Sequence, residues 1–369
     1  MIYFVFFMFS GLMVAGTDFF SKKKYYPLAI LLLIFAVITL SLLSGMRNYM
    51  IGTDTATYDN FFITAVNSNN FSRYFYNLTS TDSLEQIFVL LIYIVSRISN
   101  NYHFFQFICA LIINANIGLA LYLSRNKLKS MSLGWITYCF LLYVNTLNIV
   151  RQSIALSFMA LAISLLLSKK FYQACVVIII ACLFHKTAII GLVIILVAYL
   201  FNHIVNSKRL FLVIGLSLFI TILIPFLMPL LGNINVFVGS KYSNYLVSTG
   251  GISILFGVLL RLPMLLLIAI NFVLEPSLLK SKNNWLFLLL IQELFLLPLQ
   301  IINPVIGRIV LYFSISKVIA YPLAISEFKS KKSFLKLTVV FLYLILIMGT
   351  FTIQVLVNGE GQIYPYFLN

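Results

Sequence analysis

Between Arg47 and Phe62 the sequence reads RNYMIGTDTATYDNFF, a dense block of polar groups in an otherwise apolar chain. It supplies an arginine, a glycine, two threonines flanking Asp54, the phenol of Tyr58 and a second acid, Asp59. A guanidinium fork grips phosphate oxygens in pairs, and a carboxylate can accept a hydroxyl proton. Three later residues offer matching chemistry. Arg151 opens the run NIVRQSIALSFMALAI beside Gln152 and Ser153, where the partial positive charge of a helix start favours an anion. His185 stands in the short turn ACLFHKTAIIG and is a candidate general base. Arg308 follows the helix-breaking NPVIG. Arg47, Arg151 and Arg308 are thus candidate anion contacts, and His185 and Asp54 candidate proton acceptors. Tyr58, Arg261, Gln152 and Ser153 are candidate substrate contacts. The structural alternatives are a snorkelling arginine, an Asx-type turn at Asp54 and a plain turn histidine. Arg261 and Glu293 fall within apolar runs, where an ionisable group needs a partner. They are expected to pair with each other, or Glu293 with Lys317.

The elements that must hold these residues follow from composition. The chain has 369 residues, of which 62% are hydrophobic and 9% charged, and its mean hydropathy is +1.05. That implies an all-α, polytopic transmembrane helical bundle, because lipid leaves backbone groups no partner outside a helix. The apolar runs suggest about 11–13 membrane segments in one integral membrane domain spanning 1–369. The first run, MIYFVFFMFSGLMVAG, lacks a basic start and is expected to be a retained span. Two longer polar pieces, 47–83 and 232–252, are expected to shape the site.

The net charge of +16 does not point to nucleic acid, because the positives are dispersed through short loops. Lys22–Lys24, Arg125/Lys127/Lys129, Lys169/Lys170, Lys208/Arg209, Lys280/Lys282 and Lys329 to Lys336 mark the cytoplasmic side. From Arg125 onward the alternation places Arg151, His185 and Arg308 outside. Before Arg125 the parity fails by one, so one of the runs 84–98 and 102–123 is re-entrant or surface-lying, and the shorter, 84–98, is the better candidate. Six of the eight arginines (Arg47, Arg73, Arg97, Arg151, Arg261 and Arg308) stand apart from these lysine-rich clusters. Orientation needs only charge; a planar fork suits a phosphate-bearing ligand. The four cysteines lie in apolar runs without ligand spacing, and no HExxH, CxxC, Walker or dinucleotide motif occurs. No metal or cofactor is expected.

In order, RNYMIGTDTATY, VRQSIALSFMALAI, LFHKTAII, GRIVLYF and the terminal YPYF resemble the EpsG/Wzy-type O-antigen or capsular polysaccharide polymerases over nearly the whole chain. The R-x4-GTDT-x2-Y block and the FH turn are the most specific parts. The resemblance implies a metal-independent glycosyltransferase of exopolysaccharide biosynthesis in the bacterial inner (cytoplasmic) membrane, working at its periplasmic or extracellular face. Its substrate would be an undecaprenyl-pyrophosphate-linked oligosaccharide, its surroundings membrane lipids, and a chain-length regulator protein a candidate partner. On that reading Arg47, Arg151 and Arg308 are diphosphate-binding, and His185 or Asp54 takes the proton. Tyr58, Tyr74, Tyr76, Tyr242 and Tyr245 are candidates to stack on sugar faces. An O-antigen ligase shares the donor and its physics. A lipid-linked oligosaccharide flippase or transporter is the non-enzyme alternative, and would spread polar residues through the membrane interior.

Overall fold

A computed structural model of the protein describes residues 2–80, 82, 84–203, 285–301, 304–326 and 333–368, with single positions 215, 219, 257, 261, 265 and 269. The described part is helical, its one β-bridge joining Arg47 to Leu368. The helices are α1 (Ile2–Lys22), α2 (Tyr26–Gly45), α3 (Thr55–Val66), α4 (Phe71–Ser80), α5 (Gln86–Ile98), α6 (Tyr102–Leu128), α7 (Met131–Leu141) and α8 (Tyr143–Asn148). They continue with α9 (Val150–Leu167), α10 (Phe171–Phe184), α11 (Gly191–His203), α12 (Trp285–Leu296), α13 (Pro304–Ser314), α14 (Lys317–Ser326) and α15 (Ser333–Phe351). Among the described residues seven helical segments are long and apolar enough to cross a membrane, and four shorter apolar helices accompany them. Val5, Leu12, Ile34, Leu196 and Phe341 are exposed, a belt suited to lipid. The chain is a multi-pass membrane protein.

At the centre stands α9, nearly all of it buried. It runs parallel to α6, with Asn116 donating to Ser157 and Ser124 meeting Ser164 at 2.8 Å. Against α2, which is antiparallel to α6, Asn114 donates to Ser41 (3.1 Å) and accepts from Tyr138 of α7 (2.6 Å). Such hydroxyl and amide pairs satisfy groups that hydrocarbon cannot. Gly134 of α7 lets the Val318 carbonyl of α14 approach to 2.7 Å of where a Cβ would stand.

Two ends of the bundle are distinct. At the lysine-rich end the turns after α1, α6 and α9 close through Lys24, Lys129 and Lys169, all with left-handed φ of 65°, 58° and 59°. A lysine there costs about 1 kcal/mol of strain against glycine, but its charge also complements a helix C-terminus. Lys127 donates to the Leu167 carbonyl, and Asp18 caps α7 by accepting from Met131 and Ser132, both at 3.0 Å. The opposite end carries the Gly45 carbonyl against His103 Nδ1 (2.9 Å), the start of α9 and the end of α10.

Both termini of α5 lie at that second end. Glu85, just before it, reaches Arg151 and His185, while Tyr102, just after it, donates to the Thr55 carbonyl (3.0 Å). Arg97 donates to the Ala65 carbonyl and ties α5 to α3. The 84–98 run thus begins and ends at the same end of the bundle, where the 27-residue α6 starts.

Glu293 of α12 takes both of its expected partners, Arg261 and Lys317, the latter at 2.6 Å. Replacing Glu293 by glutamine leaves the buried Lys317 and the part-buried Arg261 without a counter-charge. We expect a loss of about 3–5 kcal/mol, read as a lower midpoint in thermal unfolding of the detergent-solubilised protein. The 232–252 loop, with Tyr242 and Tyr245, and the Lys208/Arg209 and Lys280/Lys282 clusters lie outside the described residues.

Candidate active site

Gly52 sets the start of this region. Its φ of +98° is a left-handed conformation, and a Cβ there would come within 2.6 Å of the Leu147 carbonyl and 2.9 Å of Asn148 Oδ1. The glycine lets the GTDT block sit directly on α8. Thr53 then donates its backbone N–H (2.7 Å) and its hydroxyl (3.3 Å) to Asn148 Oδ1. One turn into α3, Tyr58 is brought against Arg151 of α9 and packs edge-on to Phe88 of α5.

Glu85 is the hub. It occupies extended backbone ahead of α5 and is only 6% exposed. Its Oε2 accepts from an Arg151 Nη at 2.6 Å; its Oε1 meets His185 Nδ1 at 2.9 Å and the Lys186 backbone N–H at 3.4 Å. His185 links α10 to a short 3-10 turn (Lys186–Ile190) in extended backbone, φ −158°. Its N–H donates to Ala181 and its carbonyl accepts from Ala188, both at 2.9 Å, which turns the imidazole inward. Three elements distant in sequence thus meet on one carboxylate.

The protonation state follows from the partners. With Glu85 ionised, His185 Nδ1 carries the proton and donates it, leaving Nε2 as a bare acceptor. That Nε2 is buried and has no hydrogen-bond partner among the described residues. Burial alone would raise the Glu85 carboxyl, but the His185 hydrogen bond and the Arg151 charge hold it down at about 2. Burial pushes the His185 imidazole below its ordinary value, against the opposing pull of Glu85 and with help from Arg151 and Arg308. His185 is therefore neutral at physiological pH.

Both folded pKa values are depressed, so both groups stabilise the fold at higher pH. The His185 contribution is lost as pH falls from about 6.5 through its lowered pKa. The Glu85 contribution is lost below the ordinary carboxylate value of 4.5, down to about 2. If Nε2 acts as a base, the acid limb of kcat/KM lies below about 6.5. A pH–rate profile on reconstituted protein checks this; an acid limb at or above the ordinary histidine value contradicts it.

Arg308 of α13 lies near enough to act electrostatically on both His185 and Tyr312. Gln152 fixes the backbone there, donating to the Arg308 carbonyl at 2.6 Å. Thr187 donates to the Tyr312 hydroxyl at 3.1 Å, closing the ring of contacts between the histidine turn and α13. Arg151, His185, Arg308, Tyr58 and Gln152 are thus brought together. Asp54 stands at the edge, half-buried before α3, accepting from Thr53 at 3.2 Å and acting on Tyr58. Ser153 turns away, donating to the Asn145 carbonyl at 2.9 Å.

Arg47 is not among them. It is 1% exposed, donates to Ser44 at 3.3 Å and is bridged to Leu368. The C-terminal tail folds over it, with Asn48 donating to Phe367 (3.0 Å), Gly52 to Gln362 (3.2 Å) and Tyr366 to Leu43 (2.6 Å). Arg47 braces the loop under that tail. Arg261 belongs to the separate ionic cluster around Glu293.

Sequence reasoning did not single out Glu85, Thr187 or Tyr312 as site residues. A signal was present for Glu85. Only nine acids accompany 25 basic residues, so an acid beside an apolar run in the same loop as Tyr58 is an expected mate for a buried arginine.

No curated protein and no solved structure matches the chain. The family model described as "EpsG family" matches residues 30–368, a stretch holding the GTDT loop, Glu85, the arginine and histidine turns and the covering tail. The chain belongs to the EpsG family, a family of Wzy-like polymerases, and is a membrane protein of the polysaccharide-polymerase type.

Proposed function

We propose that the protein joins oligosaccharide repeat units carried on undecaprenyl pyrophosphate, with His185 as the base and Arg151 and Arg308 as the diphosphate contacts. The observation carrying this reading is the cluster of buried Glu85 and His185 with the part-buried Arg151, where an imidazole nitrogen without a hydrogen-bond partner among the described residues feels the charge of Arg151 and Arg308. In the reaction, an acceptor sugar hydroxyl oxygen attacks the donor's anomeric carbon. The bond from that carbon to the diphosphate oxygen breaks, the hydroxyl proton passes to His185 Nε2, and the lipid diphosphate departs with the bonding pair. Glu85 stabilises the imidazolium that forms; the arginines stabilise charge growing on the leaving group. Asp54, at the edge of the cluster, orients the acceptor hydroxyl. Arg47 acts at one remove, holding the loop. The single membrane domain, with the 47–83 loop framing the site, sits in the bacterial inner membrane with lysine clusters in the cytoplasm and the site facing the periplasm or cell exterior. A chain-length regulator docking on that face completes the expected assembly.

The test is reconstitution of the purified protein with lipid-linked repeat units and no other enzyme. A ladder of longer chains supports polymerisation. Transfer only to a different acceptor lipid indicates a ligase, and transbilayer movement without new bonds indicates a flippase; either overturns the proposal.

A further inference from the structure

A second feature on the same end of the bundle is untouched by that chemistry. α3 and α4 form a hairpin whose outer side encloses a groove of about 570 Å³. Its polar lining includes Asn67, Asn69, Asn70 and Asn77 beside the hydroxyls of Thr64 and Ser68, with Arg73 as the charged member among the described residues. Ile63 and Leu78 provide apolar wall. The turns at the opposite end carry lysine at Lys24, Lys129 and Lys169, whereas this turn carries amides. A carboxamide offers a donor and an acceptor side by side, matching the paired donor and acceptor character of neighbouring sugar hydroxyls. Arg73, one of the arginines standing apart from the lysine clusters, adds donors for a hydroxyl or an acidic substituent.

The walls are fixed. Tyr74 is buried and donates to the Phe61 carbonyl at 3.2 Å, pinning α4 on α3, which excludes its ring as an open stacking platform. Arg97 holds the end of α3 through the Ala65 and Val66 carbonyls. Asn70 Oδ1 accepts from the Arg73 N–H at 3.0 Å and sets the start of α4. A groove formed before its ligand arrives binds without ordering cost. So many amides facing hydrocarbon would be unfavourable, which places the groove on the aqueous side of the membrane.

Its position relative to the reacting groups matters most. α3 starts at Thr55, beside the loop that carries Asp54, and ends at the groove. Its 12 residues span about 18 Å at the α-helical rise, a length of several sugar rings. The two sites are the ends of one rigid helix.

We infer that the α3–α4 groove is a glycan subsite that holds hydroxyl-rich sugars of the oligosaccharide several rings away from the reacting bond. This rests on the polymerase reading for its ligand class, but not on the roles of His185 or the arginines. A subsite of this kind keeps the chain on the enzyme between additions, so its loss shortens the product.

The test uses the full-length protein in nanodiscs and, as probe, a lipid-free oligosaccharide of two or more repeat units cut from the host's own surface polysaccharide. We expect wild type and His185→Ala to bind it alike, and Asn69→Ala/Asn77→Ala to bind at least tenfold more weakly. Asn69→Trp, an exposed turn position that fills the groove without disturbing the core, is expected to do the same and to shorten the ladder. Wild-type binding in both groove variants, or no binding by wild type, overturns the inference. A wild-type ladder with unaffected groove variants rejects the subsite and leaves the polymerase reading standing. Groove-dependent binding with no ladder supports the subsite and rejects the polymerase.

Discussion

Glu85→Gln is expected to lower the rate of glycan joining by about 10³-fold, within the range removed with a general base and its orienting carboxylate. The glutamine is nearly isosteric and can still accept from Arg151, so the fold is expected to persist. What changes is the imidazole. A carboxylate accepts a hydrogen bond from His185 Nδ1–H, whereas the glutamine NH₂ can donate to a bare Nδ1, which moves the ring proton to Nε2. The nitrogen facing the substrate then has no lone pair to offer. The exchange also removes the formal counter-charge of the part-buried Arg151, a smaller cost in stability than a fully buried pair carries. Equal abundance of mutant and wild type in the membrane, with the ladder lost, identifies the catalytic effect. A full ladder from Glu85→Gln at equal abundance contradicts the role assigned to this carboxylate.

The second large effect is expected at Arg308. Lysine there keeps the charge but not the fork, and the loss of one guanidinium donor to a developing diphosphate is worth about 10²-fold in kcat/KM. Gln152 holds the Arg308 backbone carbonyl rather than its side chain, so the substitution leaves the α9–α13 connection intact. The loss should appear more in kcat than in KM, because the charge grows on the leaving group as the bond breaks. Michaelis curves against the lipid-linked donor separate the two. An unchanged kcat with only a raised KM would make Arg308 a ground-state contact.

Much of the fold was legible because lipid leaves a chain few choices. Runs of apolar residues had to be helices, and lysine placement sorted their ends. The parity failure before Arg125 pointed to α5, and its two termini lie at one end of the bundle. The candidate site was legible where a residue carried its own signal: Arg151 at a helix start, His185 in a turn, Arg308 after a break. Glu85 was illegible because its role is relational; it means little until α10 and α9 present His185 and Arg151 to it. Arg47 misled for the opposite reason. Its motif is strong, but its surroundings come from a tail more than 300 positions later, and no local pattern encodes that cover. The Arg261, Glu293 and Lys317 spacings left two pairings open, and one carboxylate satisfies both.

The central claim is that His185 Nε2 takes the acceptor's proton as the glycosidic bond forms. Single-turnover joining by His185→Ala, in nanodiscs with saturating lipid-linked repeat units, tests it most directly. The account predicts bond formation slowed by about 10³-fold, with lipid-linked donor binding kept within about twofold because the arginines remain. A variant that joins repeat units at the wild-type rate would contradict it.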